Sequence, residues 1–509
     1  DVDVTRQGLK SKGIVSFNNS TPLGILWTES FNAGSGPSSS YRMTGDFDAA
    51  ARASIGLDFE KYLTGPVVID AKLTGKGAAI SGVDLHADLA PAVLNVTELG
   101  WTKPAGKSVT VDLKLAITKD AYAATNMKAA GEGVDVRGAF TAANDGRIML
   151  ADFPTLKLGP DNDLVAHVRR DDRGQLLVAL KGAKYDARGI LHDFISGNGD
   201  KKEAEEAATR VLTPEMEQDP TRRTQISAVF DEVAAQNGTK LSHVDGRFTL
   251  IDGSVYLMEL GGTDQGGLPL AATIRGQSER TRRFSMTSND AGLVFRSLDL
   301  FNSIVGGTFA ANATIDDKLP GSPMNGEITV GEFRIVKAPV LASMLSLGSL
   351  TGIRDTLTGE GIFFDSLKLP FRVTGHRIHV EEARMSGPAI GLTMNGQIDR
   401  SMNVTDMEGT LVPAYTINSV LGNVPLLGPL LVGRKGEGIF GFTYAVKGNT
   451  DKPSVIVNPL SAIAPGFLRR LFEFSSSLPP ETPAVAPAAS GKSAVPLPEA
   501  APAPAPAKP

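Results

Sequence analysis

The side chains that could do chemistry are few, and their spacing works against it. His376 and His379 stand three apart in a strand-and-turn setting, where such spacing sends two side chains to opposite faces. A zinc centre needs three or four converging ligands, and the chain has 0 Cys to complete a set. Surface histidines are the expectation. The adjacent carboxylates Asp171-Asp172 and Glu381-Glu382 lie beside turns. Neighbours in an extended strand point opposite ways, so neither pair can flank one glycosidic bond as acid and base. Gly436, Gly438 and Gly441 spell G-x-G-x-x-G. A dinucleotide site needs a strand before that string and a helix after it. Here an alternating run, Phe440 to Val446, follows, and Pro425 and Pro429 crowd the approach, so hairpin glycines are expected. No G-x-S-x-G elbow places a serine nucleophile. The chain is expected to be non-enzymatic, with no cofactor, no metal and no nucleotide.

Composition narrows the class further. The 509 residues carry 51 basic and 56 acidic side chains for a net charge of -5, without the concentrated basic face that nucleic acid requires. Aromatics make up 6%, too few for stacking platforms. The absence of cysteine rules out a disulfide framework and fits an oxidising compartment, where stray thiols are a liability. No run of 18 apolar residues offers a spanning helix, and Asp1 at the start reads as a fragment or a processed product. The 55 glycines punctuate short apolar runs, as expected for many strands joined by tight turns.

Alternation is the dominant pattern. Val109, Val111, Leu113, Leu115 and Ile117 share one side of a strand; Thr110, Asp112, Lys114 and Ala116 share the other. Val67, Ile69, Ala71 and Leu73 repeat it, as do Leu367, Leu369, Phe371 and Val373, then Leu392, Met394 and Ile398, then Phe440, Phe442, Tyr444 and Val446. One apolar and one polar face imply half-covered antiparallel sheet. Helical spacing is rarer: Ile226, Val229, Phe230 and Val233; Val294, Leu298, Phe301 and Val305; and Val340 to Leu357. The chain divides into a β-rich segment 1–195, a helical or partly disordered interruption 196–240 broken by Pro214 and Pro220, a β-rich region 241–474 with short helices, and a Pro/Ala-rich tail 475–509 expected to be disordered.

Such a sheet must cover its apolar face. A sandwich with a filled core is the commoner solution. The alternative is one elongated sheet whose inner face stays partly open as a groove for acyl chains. Val109, Val111, Leu113, Leu115, Leu367, Leu369, Phe371, Leu392, Met394, Phe440 and Phe442 are the candidate lining. The stretch Tyr415 to Val432 is strongly apolar through Ile417, Val420, Leu421, Leu426, Leu427, Leu430 and Leu431, yet Pro425 and Pro429 make it a poor spanning helix. It reads as a cap on the sheet, or as a segment that dips into a membrane interface with Arg469 and Arg470 at head groups.

Longer strings carry a resemblance. Gly359-Glu-Gly-Ile-Phe-Phe-Asp-Ser-Leu, Met385-Ser-Gly-Pro-Ala-Ile-Gly-Leu-Thr, Gly409-Thr-Leu-Val-Pro-Ala-Tyr-Thr-Ile-Asn-Ser, Pro425-Leu-Leu-Gly-Pro-Leu-Leu and Val457-Asn-Pro-Leu-Ser-Ala-Ile-Ala-Pro-Gly-Phe-Leu-Arg-Arg resemble the C-terminal region of AsmA-like proteins of the YhdP type. With Asp290-Ala-Gly and Gly306-Gly the resemblance covers roughly residues 240–472. It implies a curved antiparallel sheet with an apolar inner groove (β-taco-like). It implies a periplasmic location, anchored to the inner membrane through a segment absent from this chain, and phospholipid transport towards the outer membrane. The competing expectation is a structural scaffold or regulator of outer-membrane biogenesis that acts through contacts with envelope proteins.

Overall fold

The computed structural model describes residues 1–458 apart from 18–19, 33, 35, 58, 78, 197–208, 279, 348–350 and 414–440. The alternating runs become strands, and nearly every strand pairs with the next along the chain, from Val2–Val4 against Gly8–Val15 to Phe442–Asn449 against Ser454–Asn458. They merge into one 26-stranded sheet, accompanied by a 3-stranded sheet of Leu63–Thr64, Val93–Val96 and Trp101–Lys103. At about 4.8 Å per strand the path along the large sheet is on the order of 100 Å. The fold is mainly β with a few short helices, as the alternation requires. The sheet is mixed rather than purely antiparallel: Leu176–Asp186 runs parallel to Arg223–Ala234. A parallel pair needs a crossover, and residues 187–222 supply it.

The two ends of the strands differ. One end carries tight turns, such as Thr118–Asp120, Asp252–Gly253 and Gly375–His376. The other carries the long connections 48–66, 89–108, 289–307 and 336–361, with helices Ala49–Ser54, Ala291–Ser297, Pro339–Leu347 and Thr351–Thr358. Side chains near this second end are the best covered: Leu23 is 0% exposed, Val109 2%, Leu164 3% and Phe364 0%.

Two sequence expectations need correction. Ile226, Val229, Phe230 and Val233 do not form a helix; they lie in strand Arg223–Ala234. Within it Phe230 is 3% exposed and Val229 45%, the two-residue alternation of a strand. The interruption 196–240 is therefore shorter than expected. From residue 209 onward it holds the short helix Pro214–Gln218, the turn Pro220–Arg222 and that strand. The helix at Val294 stops at Ser297, so Phe301 and Val305 fall outside it, Val305 in the strand pair Ile304–Val305. Val340 to Leu357 does form helix, as two pieces, Pro339–Leu347 and Thr351–Thr358. The tail 475–509 lies outside the described residues.

Candidate functional site: a continuous apolar face

Residues directly opposite one another on paired strands share a face, so the register can be followed from strand to strand. Ile25 lies opposite Met43, Met43 opposite Ala71, Ala71 opposite Leu85, and Leu85 opposite Leu113. A bulge after Asp112 moves the line to Leu115, and it resumes through Ala124, Phe140, Ala151, Val168, Val178 and Ile226. It continues through Phe248, Met258, Ile274, Phe284, Ala313 and Gly326. It ends through Phe371, Val380, Gly396, Met407, Val446 and Val455. No ionisable residue interrupts the line. Leu113, Leu115, Phe140, Val168, Val178, Ile226, Phe248 and Met258 are each only partly buried.

The opposite face is charged and laced across strands. Arg42 Nε donates to Asp70 at 2.9 Å, His86 Nδ1 sits 2.7 Å from Asp112, and Lys157 Nζ donates to Asp163 at 2.8 Å. The guanidinium of Arg42 holds the Asp70 carboxyl below its ordinary value, against a smaller effect of burial. Arg42, Asp70, Asp84, His86, Asp112 and Lys114 line a shallow depression there. Exposed pairs of this kind contribute under about 1 kcal/mol each. Their effect is to keep one side of the sheet in water, which leaves the apolar side as the face with chemistry to offer.

The candidate lining residues separate into two environments. Leu113 and Leu115 are half-buried and join no packed cluster among the described residues, while Val111 packs against two small ones. Val109 is buried at the long-connection end with Val134 and Leu158. In the C-terminal third Leu367 is buried, and Leu369, Leu392, Met394 and Phe442 pack on one large cluster built around helices Ala291–Ser297 and Pro339–Leu347. Phe371 is partly buried and stands outside that cluster. Phe440, Ile417, Val420, Leu421, Leu426, Leu427, Leu430, Leu431, Arg469 and Arg470 lie outside the described residues. Phe140, Val168, Val178, Phe248 and Met258 lie outside the runs read from sequence, and Ile226 is not among the candidate lining there. Their strands do alternate, but bulges such as those after Arg137 and Phe153 break the count, and Ile226 was absorbed into the helical pattern.

Arg282, Asp317, Lys103 and Tyr444 are buried ionisable groups held by structural bonds. Arg282 grips Asp317 through two bonds, Nε to Oδ2 at 2.7 Å and Nη2 to Oδ1 at 2.6 Å, and its Nη1 donates to the Val255 and Tyr256 carbonyls. Lys103, 2% exposed, donates to the carbonyls of Ala92, Pro104 and Lys107 at 2.7, 3.0 and 3.0 Å. Burial pushes the Tyr444 hydroxyl above its ordinary value, and its proton goes to the Thr393 carbonyl at 2.8 Å. Among the described residues no group of three or more His, Asp or Glu could hold a metal ion, and no helix is long and apolar enough to cross a membrane. No family model matches the chain, and neither a curated protein nor a solved structure matches it.

Proposed function

We propose that this chain is a non-enzymatic carrier of phospholipid between the inner and outer membranes of a Gram-negative envelope, an AsmA-like protein that works in the periplasm. The observation that carries the reading is the uninterrupted apolar line across the large sheet, partly exposed from Ile25 to Ile274 except at the buried Ala71, Ala124 and Ala151. Each buried methylene gains about 0.8 kcal/mol, so an acyl chain of about sixteen carbons gains on the order of 10 kcal/mol if most of it is covered. That holds a lipid out of water. Because successive strands offer similar side chains, the gain changes little from one strand to the next, and a lipid can move along the sheet without leaving a deep well. The charged far side keeps the carrier in solution while the apolar side is loaded.

The test is gentle purification of the chain, solvent extraction and mass spectrometry of the extract, on the wild type and two charge variants. Leu115 belongs to the apolar line, and its neighbour Ala116 is exposed on the charged side. Phospholipid is expected in the wild-type extract. Leu115→Asp is expected to lower it at least about fivefold, since a carboxylate opposes an acyl contact, and Ala116→Asp to leave it within about twofold on the same ground. Wild-type protein free of lipid would overturn the proposal and favour a scaffold that acts through protein contacts.

A further inference from the structure

The apolar face changes character along the sheet. From strand Leu23–Ser30 to strand Pro269–Ser278 the line is partly exposed, apart from the buried Ala71, Ala124 and Ala151. Beyond Phe284 helices pack onto the face, while Ile328, Leu369, Phe371, Leu392 and Met394 stay partly buried beside them. Val294 on helix Ala291–Ser297 is 0% exposed, as are Leu345 on Pro339–Leu347 and Leu357 on Thr351–Thr358. These helices share one packed cluster with Phe309, Val330, Phe364, Leu411 and Tyr444 from the strands. This second section is also tied to the middle of the molecule. Arg400, in a tight turn of that section, donates to the Ile195 carbonyl at 3.0 Å and to the Gly375 carbonyl at 2.7 Å. Ile195 belongs to helix Arg188–Ser196, which opens the crossover at the long-connection end of Leu176–Asp186. A contact between residues 205 apart therefore joins a tight-turn edge of the second section to a long-connection edge of the first.

We infer that the three helices are a plug that ends the lipid path. Acyl chains lie on strands Leu23–Ser30 to Pro269–Ser278, and none lies on strands Thr308–Asp316 to Phe442–Asn449. Lipid then leaves sideways over the open lip of the first section rather than off the C-terminal end of the sheet. The inference rests on the proposed lipid cargo and adds where that cargo stops.

The wild-type chain suffices for the test, so no substitution can confuse it by unfolding a packed core. A phospholipid with a photoactivated diazirine in its acyl chain is loaded from phosphatidylethanolamine/phosphatidylglycerol vesicles, irradiated, and the adducts are mapped by peptide mass spectrometry. The expected map has adducts around Leu113, Phe140 and Phe248, which are partly exposed, and at least about tenfold fewer around Phe364 and Leu411, which are 0% and 2% exposed, the contrast set by packed against open surface. Adducts of equal yield on both sections would overturn the plug and leave the lipid reading standing. No adduct on either section, with the vesicles present, would overturn the lipid reading and the plug with it.

Discussion

At the scale of single residues, burial decides which polar groups matter. Asp317 is 0% exposed and its partner Arg282 7% by side chain. Removing one member of such a pair strands a charge in the interior. Asp317→Ala is expected to cost about 3–5 kcal/mol in urea unfolding, and Arg282→Met/Asp317→Leu together to restore most of it. An additive double variant would show that the pair is not coupled. Asp48 is the milder case. It caps helix Ala49–Ser54 by accepting from Ala51 N at 2.9 Å and also accepts from Thr21 N at 2.7 Å. The Thr21 and Ala51 amides hold its carboxyl below the ordinary value, with burial opposing. A carboxyl depressed in the folded state stabilises the fold above the ordinary value, about pH 4, and that contribution is lost as pH falls through the folded value. Asp48→Ala should cost about 1 kcal/mol at pH 7, with the difference from wild type shrinking at acidic pH. A constant difference across that range would remove the titration account.

At the scale of elements, alternation was legible where strands are regular. Val109–Ile117, Val67–Lys76 and Ile362–Thr374 stand where the period placed them. Arg223–Ala234 was misread because its apolar residues fit two periods at once. Ile226, Val229, Phe230 and Val233 match a helical stripe, while Ile226, Ala228 and Phe230 match a strand face. Tertiary pairing on both sides selects the strand. The consequence is measurable. Val229 is exposed and Phe230 buried, so Val229→Asp should move stability by under about 1 kcal/mol and Phe230→Asp by more than about 3 kcal/mol. Comparable losses at the two positions would favour the helical stripe. Glycines constrain elements in a way the sequence pattern hides. A Cβ on Gly409 would stand 1.9 Å from the Thr393 carbonyl oxygen and 2.8 Å from the Tyr444 hydroxyl, so this strand residue is fixed by close approach, not by turn geometry.

At the scale of the whole molecule, periodicity could not choose between sealed sandwiches and one elongated sheet, because both need strands with one apolar face. The choice rests on register, which depends on partners far along the chain and on bulges that no local count reveals. The structure gives one 26-stranded sheet beside a small 3-stranded one, with an apolar line that is partly exposed over most of its length and partly packed under helices in its C-terminal third. The proposed carrier function depends on acyl chains occupying the partly exposed stretch. Trp27 lies on that face, stacked with Tyr41 at a centroid distance of 5.9 Å, and the chain has 2 Trp in all. In a Trp101→Phe background, Trp27 alone reports on the face. Loading with phospholipid brominated along its acyl chain is expected to quench the Trp27 emission by about half or more through heavy-atom contact at van der Waals range, and unbrominated lipid to leave it bright. Emission that is unchanged by brominated lipid, at confirmed vesicle exposure, would contradict the account.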